Sequence, residues 1–464
     1  MSDNDERRRP APDDRPVALT VAGSDAGGGA GIQADLRTMT AHGVFGTSAV
    51  TAATAQNTRG VESTHVLPPA EVAAQISAVV DDFDVAAAKT GMLATADVVE
   101  TVTTALADLA APLVVDPVMV AESGDRLLAP DAEAAYEDLL GAATVATPNA
   151  DEAAVLTGVE VEDATDARTA AAALHEAGPE AVLVTGGHFG DGVADVLVAG
   201  DPTDPTVRTF ESPRVDTDAT HGTGCTLSSA IAARLARGDS TAEAVEAASA
   251  FLQRAVRYPL DVGEGPGAVH HTVGLRERAA RDDTREAVEG VLAAVGDDVR
   301  PLIPEVGTTV AGATPYAEST TEVAAADGRL TRTVDGVRQP RGVRFDASSH
   351  VARFLLAARE FDPELRFAAN VRHDDAVAAA LSATDWLVAE FDRRDEPEGE
   401  TTMGWGARRA FESVRAEDPA ATPAAVVDDG AVGKEPMVRL LAADAETLTE
   451  RVQTLTAHDA VGGD

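Results

Sequence analysis

The stretch "RPVALTVAGSDAGGGAGIQADL" (Arg15–Leu36) decides the fold class. Its first half is an uninterrupted apolar run ending in Gly23, the pattern of a strand buried on both faces. A glycine-rich loop follows, and then "GIQADL" takes up helical spacing. The loop is not a P-loop, because no lysine closes the glycines. The same alternation continues along the chain. "SAVTAATAQ" (48–56), "DVAAAKTG" (84–91), "PLVVDPVM" (112–119), "ATVATPN" (143–149) and "AVLVTGG" (181–187) are β-rich runs, each of the last four closed by Gly, Pro or Asn nearby. Helical stretches such as "DVVETVTTALADL" and "ARTAAAALHEAG" separate them. Alternation of this kind predicts an α/β fold, a mainly parallel sheet with helices on both faces. Ligands of such sheets bind at the carboxyl ends of strands, so strand-end residues carry the functional reading.

The chain has 464 residues, 44% of them hydrophobic, enough for a sizeable core. No apolar run approaches the roughly 20 residues of a membrane span. Residues 1–15 have charges but no apolar stretch after them and read as a disordered tail, not a signal peptide. A lone cysteine forms no internal disulfide, and a cytoplasmic location is the default expectation. Thirty-seven basic residues against 78 acidic ones leave a net charge of −41. Such a surface repels nucleic acid and anionic membranes. Only two lysines occur, Lys89 and Lys434. Acid excess with almost no lysine resembles cytoplasmic proteins of salt-loving archaea and a potassium-rich solvent. The retained lysines mark positions where a planar guanidinium would not substitute for a compact ammonium.

"DATHGTGCTLSSAIAARLA" (218–236) holds the single cysteine. Gly222 and Gly224 let the backbone approach a ligand, and the helix that follows offers first-turn amides to an anion. Taken alone, the turn could equally be a plain cap. Asp116 in "VVDPV", and Asn149 and Glu152 in "TPNADE", sit at strand ends. Such oxygens suit a magnesium–nucleotide site, usually through water, although each alone reads as a turn former or N-cap.

Together and in this order, "AGSDAGGGAGIQADL", "TAATAQNTRGV", "KTGML", "VVDPVM", "TPNADEA", "GGH" and "THGTGCTLSSA" closely resemble the hydroxymethylpyrimidine/phosphomethylpyrimidine kinases of thiamine biosynthesis. The resemblance implies a ribokinase-like domain over 16–275, commonly a homodimer, and two phosphoryl transfers from ATP with Mg2+. It implies that Asp35 and Gln56 hold the aminopyrimidine, with Met92 over the ring or in the core. Lys89, Asp116, Asn149, Glu152 and Thr223 are implied at the nucleotide, with Asp116 and Glu152 near the metal. Cys225 is implied as proton acceptor, with Gly222 and Gly224 in the anion turn, a helix N-terminus lowering its thiol from about 8.5. His221 reads as a turn or substrate-contact residue. Thr185 stands where the family often has lysine before "GGH". An alternative for this half is pyridoxal or pyridoxine kinase activity.

The charge-dense "RERAARDDTR" (276–285) reads as a linker before a second, smaller α/β domain over 286–458. Between Arg338 and His373, seven arginines and four acids leave a local net of +3. That reversal within an acidic chain predicts a polyanion site. "LIPEVGTTVAGATPYA", "GVRFDASSHVARFLLAAREFDPELRFAANVR", "EFDRRDEPEG", "MGWGARRA" and "VGKEPMVRLL" resemble the archaeal-type thiamine-phosphate synthase domain. The implied reaction joins hydroxymethylpyrimidine diphosphate to thiazole phosphate and releases pyrophosphate. Arg344, His350, Arg353, Asn370, Arg372 and Lys434 are the expected phosphate and diphosphate contacts. The alternative is a non-catalytic sensor of thiamine phosphate. The small-molecule substrates of both halves are the expected partners.

Overall fold

The computed structural model describes residues 14–119, 135–187, 192–339, 341–397, 399, 401–431 and 433–461. All but two residues of the expected tail, and His188 of "GGH", lie outside the described residues. The chain divides into two compact units, one up to Gly274 and one from Leu275.

In the first unit β1 (Val17–Ala22) leads through the glycine loop to α1 (Gly31–Ala41) and β2 (Phe45–Val50). A hairpin of β3 (Ala52–Asn57) and β4 (Gly60–Val66) precedes α2 (Pro69–Val80), β5 (Val85–Thr90) and α3 (Ala96–Leu106). Then come β6 (Leu113–Val115), α4 (Tyr136–Gly141), β7 (Val145–Ala146), α5 (Ala150–Thr157) and α6 (Ala164–Glu176). The unit closes with β8 (Ala181–Gly187), β9 (Gly192–Asp201), β10 (Asp204–Pro213), α7 (Thr223–Ala236) and α8 (Thr241–Arg257). Eight strands among the described residues form one sheet, in the order β10-β9-β8-β7-β6-β5-β1-β2. From β2 to β8 every neighbour is parallel, and β9 and β10 add an antiparallel edge.

Side-chain alternation along the strands explains the layers. Leu113, Val115, Val182 and Val184 join a core with the residues of α3 and α6. Their in-between neighbours Val114, Ala181 and Leu183 face α7 and α8 instead. Both faces of the sheet are therefore apolar, as the continuous hydrophobic runs required. The parallel order brings the carboxyl ends of β1, β5, β6 and β7 to one edge.

"SAVTAATAQ" is not one strand. The chain leaves the large sheet at Thr51, whose amide bonds the Ala22 carbonyl at 3.0 Å, and re-enters as β3 of a separate two-stranded sheet. Apolar composition is continuous across that turn, so nothing in the run marked the break.

The second unit starts with a correction. The expected linker 276–285 lies inside one continuous helix, α9 (Val273–Val295). Its charges are tied into the second unit. Glu277 accepts a short hydrogen bond from the Thr314 hydroxyl, and the Arg281 guanidinium lies 3.7 Å from the Phe345 ring centroid. Val288, Val291, Leu292 and Val295 bury the other face. The charges belong to a helix with one apolar stripe.

Then follow β11 (Val310–Ala313), β12 (Val323–Ala326), β13 (Thr331–Thr333), β14 (Gly336–Arg338), β15 (Val343–Phe345) and α10 (Ser349–Arg359). They are succeeded by β16 (Phe367–Arg372), α11 (Asp375–Ser382), β17 (Val388–Phe391), α12 (Thr402–Arg415), β18 (Ala425–Asp428), β19 (Met437–Ala442) and α13 (Ala445–Thr456). Seven strands among the described residues form a sheet in the order β15-β12-β11-β16-β19-β18-β17. Only β17 and β18 pair in parallel. One face packs on α9, α11 and α13, the other on α10 and α12. No described helix is long and apolar enough to cross a membrane.

Candidate functional site

In the first unit the anion turn and the glycine loop are pressed together. Gly222 has φ +89°, and a Cβ there would collide with the Gly29 carbonyl. Only glycine fits both demands. The Thr223 amide bonds the Thr220 carbonyl at 3.1 Å, so Thr223 does not offer its N–H to a ligand. The amides of Gly224 and Cys225, in the uncapped first turn of α7, remain for an anion. Asp116, at the end of β6, sits beside them: a Cβ on Gly224 would lie 3.8 Å from its Oδ2. Ser228, one turn into α7, donates to that oxygen at 2.9 Å.

Asp25 is a site residue that the sequence reading missed. Its buried carboxylate accepts the amides of Gly27, Gly29 and Ala30 at 2.8, 2.9 and 2.7 Å. His221 Nε2 lies 2.9 Å from the same carboxylate and 3.4 Å from Gln56 Nε2. Burial alone would push the Asp25 carboxyl up; His221 and the loop amides outweigh it and hold it below the ordinary range. Glycine loop, hairpin and anion turn thus meet at Asp25, His221 and Gln56. An aspartate heading a run of glycines was the available signal, since a carboxylate there can gather amides at successive positions.

Three expectations need correction. Asp35 is not available to a substrate. It is fully buried, and its oxygens receive Lys89 Nζ at 3.0 Å each, Thr20 Oγ1 at 2.6 Å and Ser229 Oγ at 2.5 Å. Lys89 is equally enclosed and does not reach toward a nucleotide; it is the counter-ion of Asp35. Burial opposes its charge, and Asp35, Cys225 and Asp116 outweigh burial and raise its pKa. Cys225 is half-buried, and its thiol is pushed up to about 12, not lowered. Burial is the chief cause; Lys89 pulls the other way, and Asp35 and Asp116 add to the rise.

Met92 packs with Ala52 and Ala94 beneath the hairpin, so that a Cβ at Gly23 would lie 3.1 Å from its sulfur. Asn149 and Glu152 form the capping box of α5, with bonds of 2.8 and 2.9 Å. Glu152 also accepts the Met119 amide at 3.3 Å. Burial, then Asp116, pushes its carboxyl up to about 8; burial likewise raises Asp116, with Lys89 and Ser228 opposing. Thr185 is bridged to Asn149, its amide on the Pro148 carbonyl at 2.9 Å.

In the second unit the arginine-rich window disperses. Arg359 is buried and bonds the Leu365 and Pro315 carbonyls. Arg366 bonds the Ala313 carbonyl. Arg344 forms an exposed pair with Asp327 on the sheet edge, and Arg372 pairs with Asp374. Asn370 is consumed structurally: its amide group clamps the Thr309 amide at 2.8 Å and the Gly307 carbonyl at 3.0 Å. Lys434 is exposed on a tight turn whose next residue, Glu435, holds the amides of Glu305 and Val306.

His350 lies in the field of Arg353 and three further arginines. His350 stands in the first turn of α10, whose N-cap Ser348 makes no side-chain cap bond. Burial, then Arg329, Arg353, Arg439 and Arg393 in turn, hold its imidazole below the ordinary histidine range. Three of those four arginines lie outside the window that the local charge count singled out. An arginine inside the apolar strand run "MVRLLA" was the signal for Arg439.

The family described as phosphomethylpyrimidine kinase matches residues 25–270, and that described as thiamine-phosphate synthase ThiN matches 285–454. The hydroxymethylpyrimidine/phosphomethylpyrimidine kinase of Streptomyces coelicolor is 51% identical over 263 residues, 56% of this chain and 96% of that protein. The thiamine biosynthesis bifunctional protein ThiED of Geobacter sulfurreducens is 45% identical over 58% of this chain and 55% of its own. Pyridoxal kinase of Bacillus subtilis, solved as an ADP complex, superposes with a TM-score of 0.52 and 35% identity, covering 57% of this chain and 99% of its own. The chain therefore belongs to the phosphomethylpyrimidine kinase family and carries a ThiN-type thiamine-phosphate synthase domain behind the kinase.

Proposed function

We propose that the first unit phosphorylates hydroxymethylpyrimidine twice from ATP, and that the second joins the diphosphate to thiazole phosphate. The observation that carries the kinase reading is the anion turn, Gly222–Cys225, set against Asp116 at the strand ends. The Gly224 and Cys225 amides face the charge on the transferring phosphoryl group. Gln56, beside His221, hydrogen-bonds the aminopyrimidine. Cys225 is a neutral thiol at pH 7 and orients the hydroxymethyl oxygen. A loose phosphoryl-transfer transition state asks little of a base, so a thiol near 12 is compatible with the chemistry.

Magnesium fits the donor set. Asp116 and Glu152 are buried carboxylates that burial makes reluctant to ionise without a cation. No group of three or more His, Cys, Asp or Glu that could hold a metal occurs among the described residues. The ion would therefore rest on Asp116, on Glu152 through water, and on the substrate phosphates. When bound it would neutralise charge on those phosphates. In the second unit the arginines around His350 stabilise the departing pyrophosphate.

The test is a coupled assay in molar potassium chloride with the pyrimidine alcohol, ATP, magnesium and thiazole phosphate. Thiamine phosphate is the expected product. Cys225→Ala should slow the first phosphorylation by up to about 100-fold, the scale of a misplaced reactant, and leave synthase turnover intact. Arg353→Ala should lower thiamine phosphate formation about 100-fold while pyrimidine diphosphate accumulates. Pyrimidine diphosphate without thiamine phosphate from the unaltered protein refutes the synthase reading, and formation of neither product refutes both readings. Added pyridoxal, chosen because the superposing structures include pyridoxal kinases, should compete weakly; preferential turnover of pyridoxal refutes the pyrimidine assignment.

A further inference from the structure

Arg439 occupies the middle of β19 and is 3% exposed. Its guanidinium lies 5.0 Å from the Phe354 ring centroid and 5.8 Å from that of Phe391. Its Nη1 donates to Asp428 at 3.2 Å, and its Nη2 meets the Met403 sulfur at 3.5 Å. Asp428, at the end of β18, is wholly buried and serves a second guanidinium as well. Arg393 Nε lies 2.7 Å from each of its oxygens, and Arg393 Nη2 bonds it too. The Gly430 amide, in the turn leading to Lys434, completes its shell at 3.0 Å.

One carboxylate thus faces two largely buried guanidiniums, and one positive charge is left over. Leaving a desolvated cation without a counter-charge is costly. The surplus does not stand alone. Arg329 and Arg353 act on His350 together with Arg393 and Arg439, at the uncapped start of α10. Arg353 has no hydrogen bond or ion pair among the described residues, and neither does Nη1 of Arg393. Arg393 and Arg439 share a single carboxylate, and with Arg353 they leave a surplus of two positive charges that suits a diphosphate.

We propose that Asp428 is a positioning residue that fixes Arg393 and Arg439 as a rigid pair for the diphosphate leaving group. The inference rests on the synthase reading. In that reaction the C–O bond between the pyrimidine methylene and the diphosphate breaks, and its electron pair leaves on the diphosphate oxygen. The thiazole nitrogen lone pair forms the new C–N bond. Two guanidiniums already locked by Asp428 lose little freedom when they receive that charge.

Titration calorimetry on the full chain with inorganic pyrophosphate, and separately with thiazole phosphate, tests this directly. Asp428→Asn keeps the shape and removes the charge; Arg393→Met serves where Asp428→Asn does not fold, judged by its melting curve. Either folded variant should bind pyrophosphate at least about 10-fold more weakly and thiazole phosphate within about twofold of the unaltered chain. In turnover the KM for the pyrimidine diphosphate should rise and that for thiazole phosphate should hold. Unchanged pyrophosphate affinity in a folded variant, or an equal loss for both ligands, overturns the proposal. A chain that binds pyrophosphate through Arg393 yet makes no thiamine phosphate would refute the synthase reading and leave Asp428 only as the residue that positions the arginine pair for a bound diphosphate.

Discussion

Cys225 shows how burial can reverse a local rule. A thiol at a helix N-terminus is ordinarily acidified by the helix dipole and free amides. Here desolvation dominates, and Asp35 and Asp116 add negative charge nearby. Lys89 opposes them, but its charge is largely matched by Asp35, 3.0 Å away. The thiol therefore keeps its proton at neutral pH. As the chain has a single cysteine, alkylation reads this site alone. At pH 8 a thiol of pKa near 12 is ionised far less than one near 9, and although the more basic thiolate is the better nucleophile, iodoacetamide should modify the native protein at least about 10-fold more slowly than the urea-unfolded chain. Mass spectrometry of timed aliquots measures it; native labelling as fast as unfolded labelling would restore the acidified thiolate.

The loop-to-helix junctions decide which element assignments hold. Gly222 makes the point quantitatively. Alanine there must take φ +89°, costing about 1–2 kcal/mol for the left-handed backbone, and its Cβ must also displace the Gly29 carbonyl. Gly222→Ala should lower the urea midpoint of the kinase unit and remove most kinase activity, while synthase turnover from supplied pyrimidine diphosphate persists. An unchanged kinase rate would show that the anion turn tolerates displacement. Such junctions were legible in the sequence where a glycine turn meets a helix start, as at Gly23–Gly31 and Gly222–Cys225. They were not legible where composition runs smoothly through a break, as at Thr51, or where charge density masks an apolar stripe, as in α9. Strand and helix type follow from local periodicity, but the partner of a charged side chain does not. Arg359 and Arg366 count toward a local +3 yet hold backbone carbonyls, whereas Arg393 and Arg439, far apart in sequence from His350, converge on it because β17, β18 and β19 pair.

At the scale of the whole molecule, the net charge of −41 must be reconciled with two compact α/β units. The interior answers part of this. Asp35, Asp428 and Asp25 are buried with bound cations, histidine or amides, so they add no repulsion at the surface. Most of the other acids among the described residues are exposed, and they repel one another over a Debye length of about 8 Å in 0.15 M salt, but only about 3 Å in 1 M. Unfolding spreads these charges apart and is favoured in dilute buffer. Raising potassium chloride from 0.1 to 2 M should therefore raise the melting temperature of both units by on the order of 10 °C, the shift that about 3–4 kcal/mol produces in a domain of this size. Scanning calorimetry measures it. Sodium chloride should act nearly as well, because screening does not distinguish the two cations, and sucrose at matched osmolality should give a much smaller rise, because it leaves the charges unscreened. Equal stabilisation by sucrose would assign the effect to solute exclusion from the surface and not to relief of the acidic repulsion.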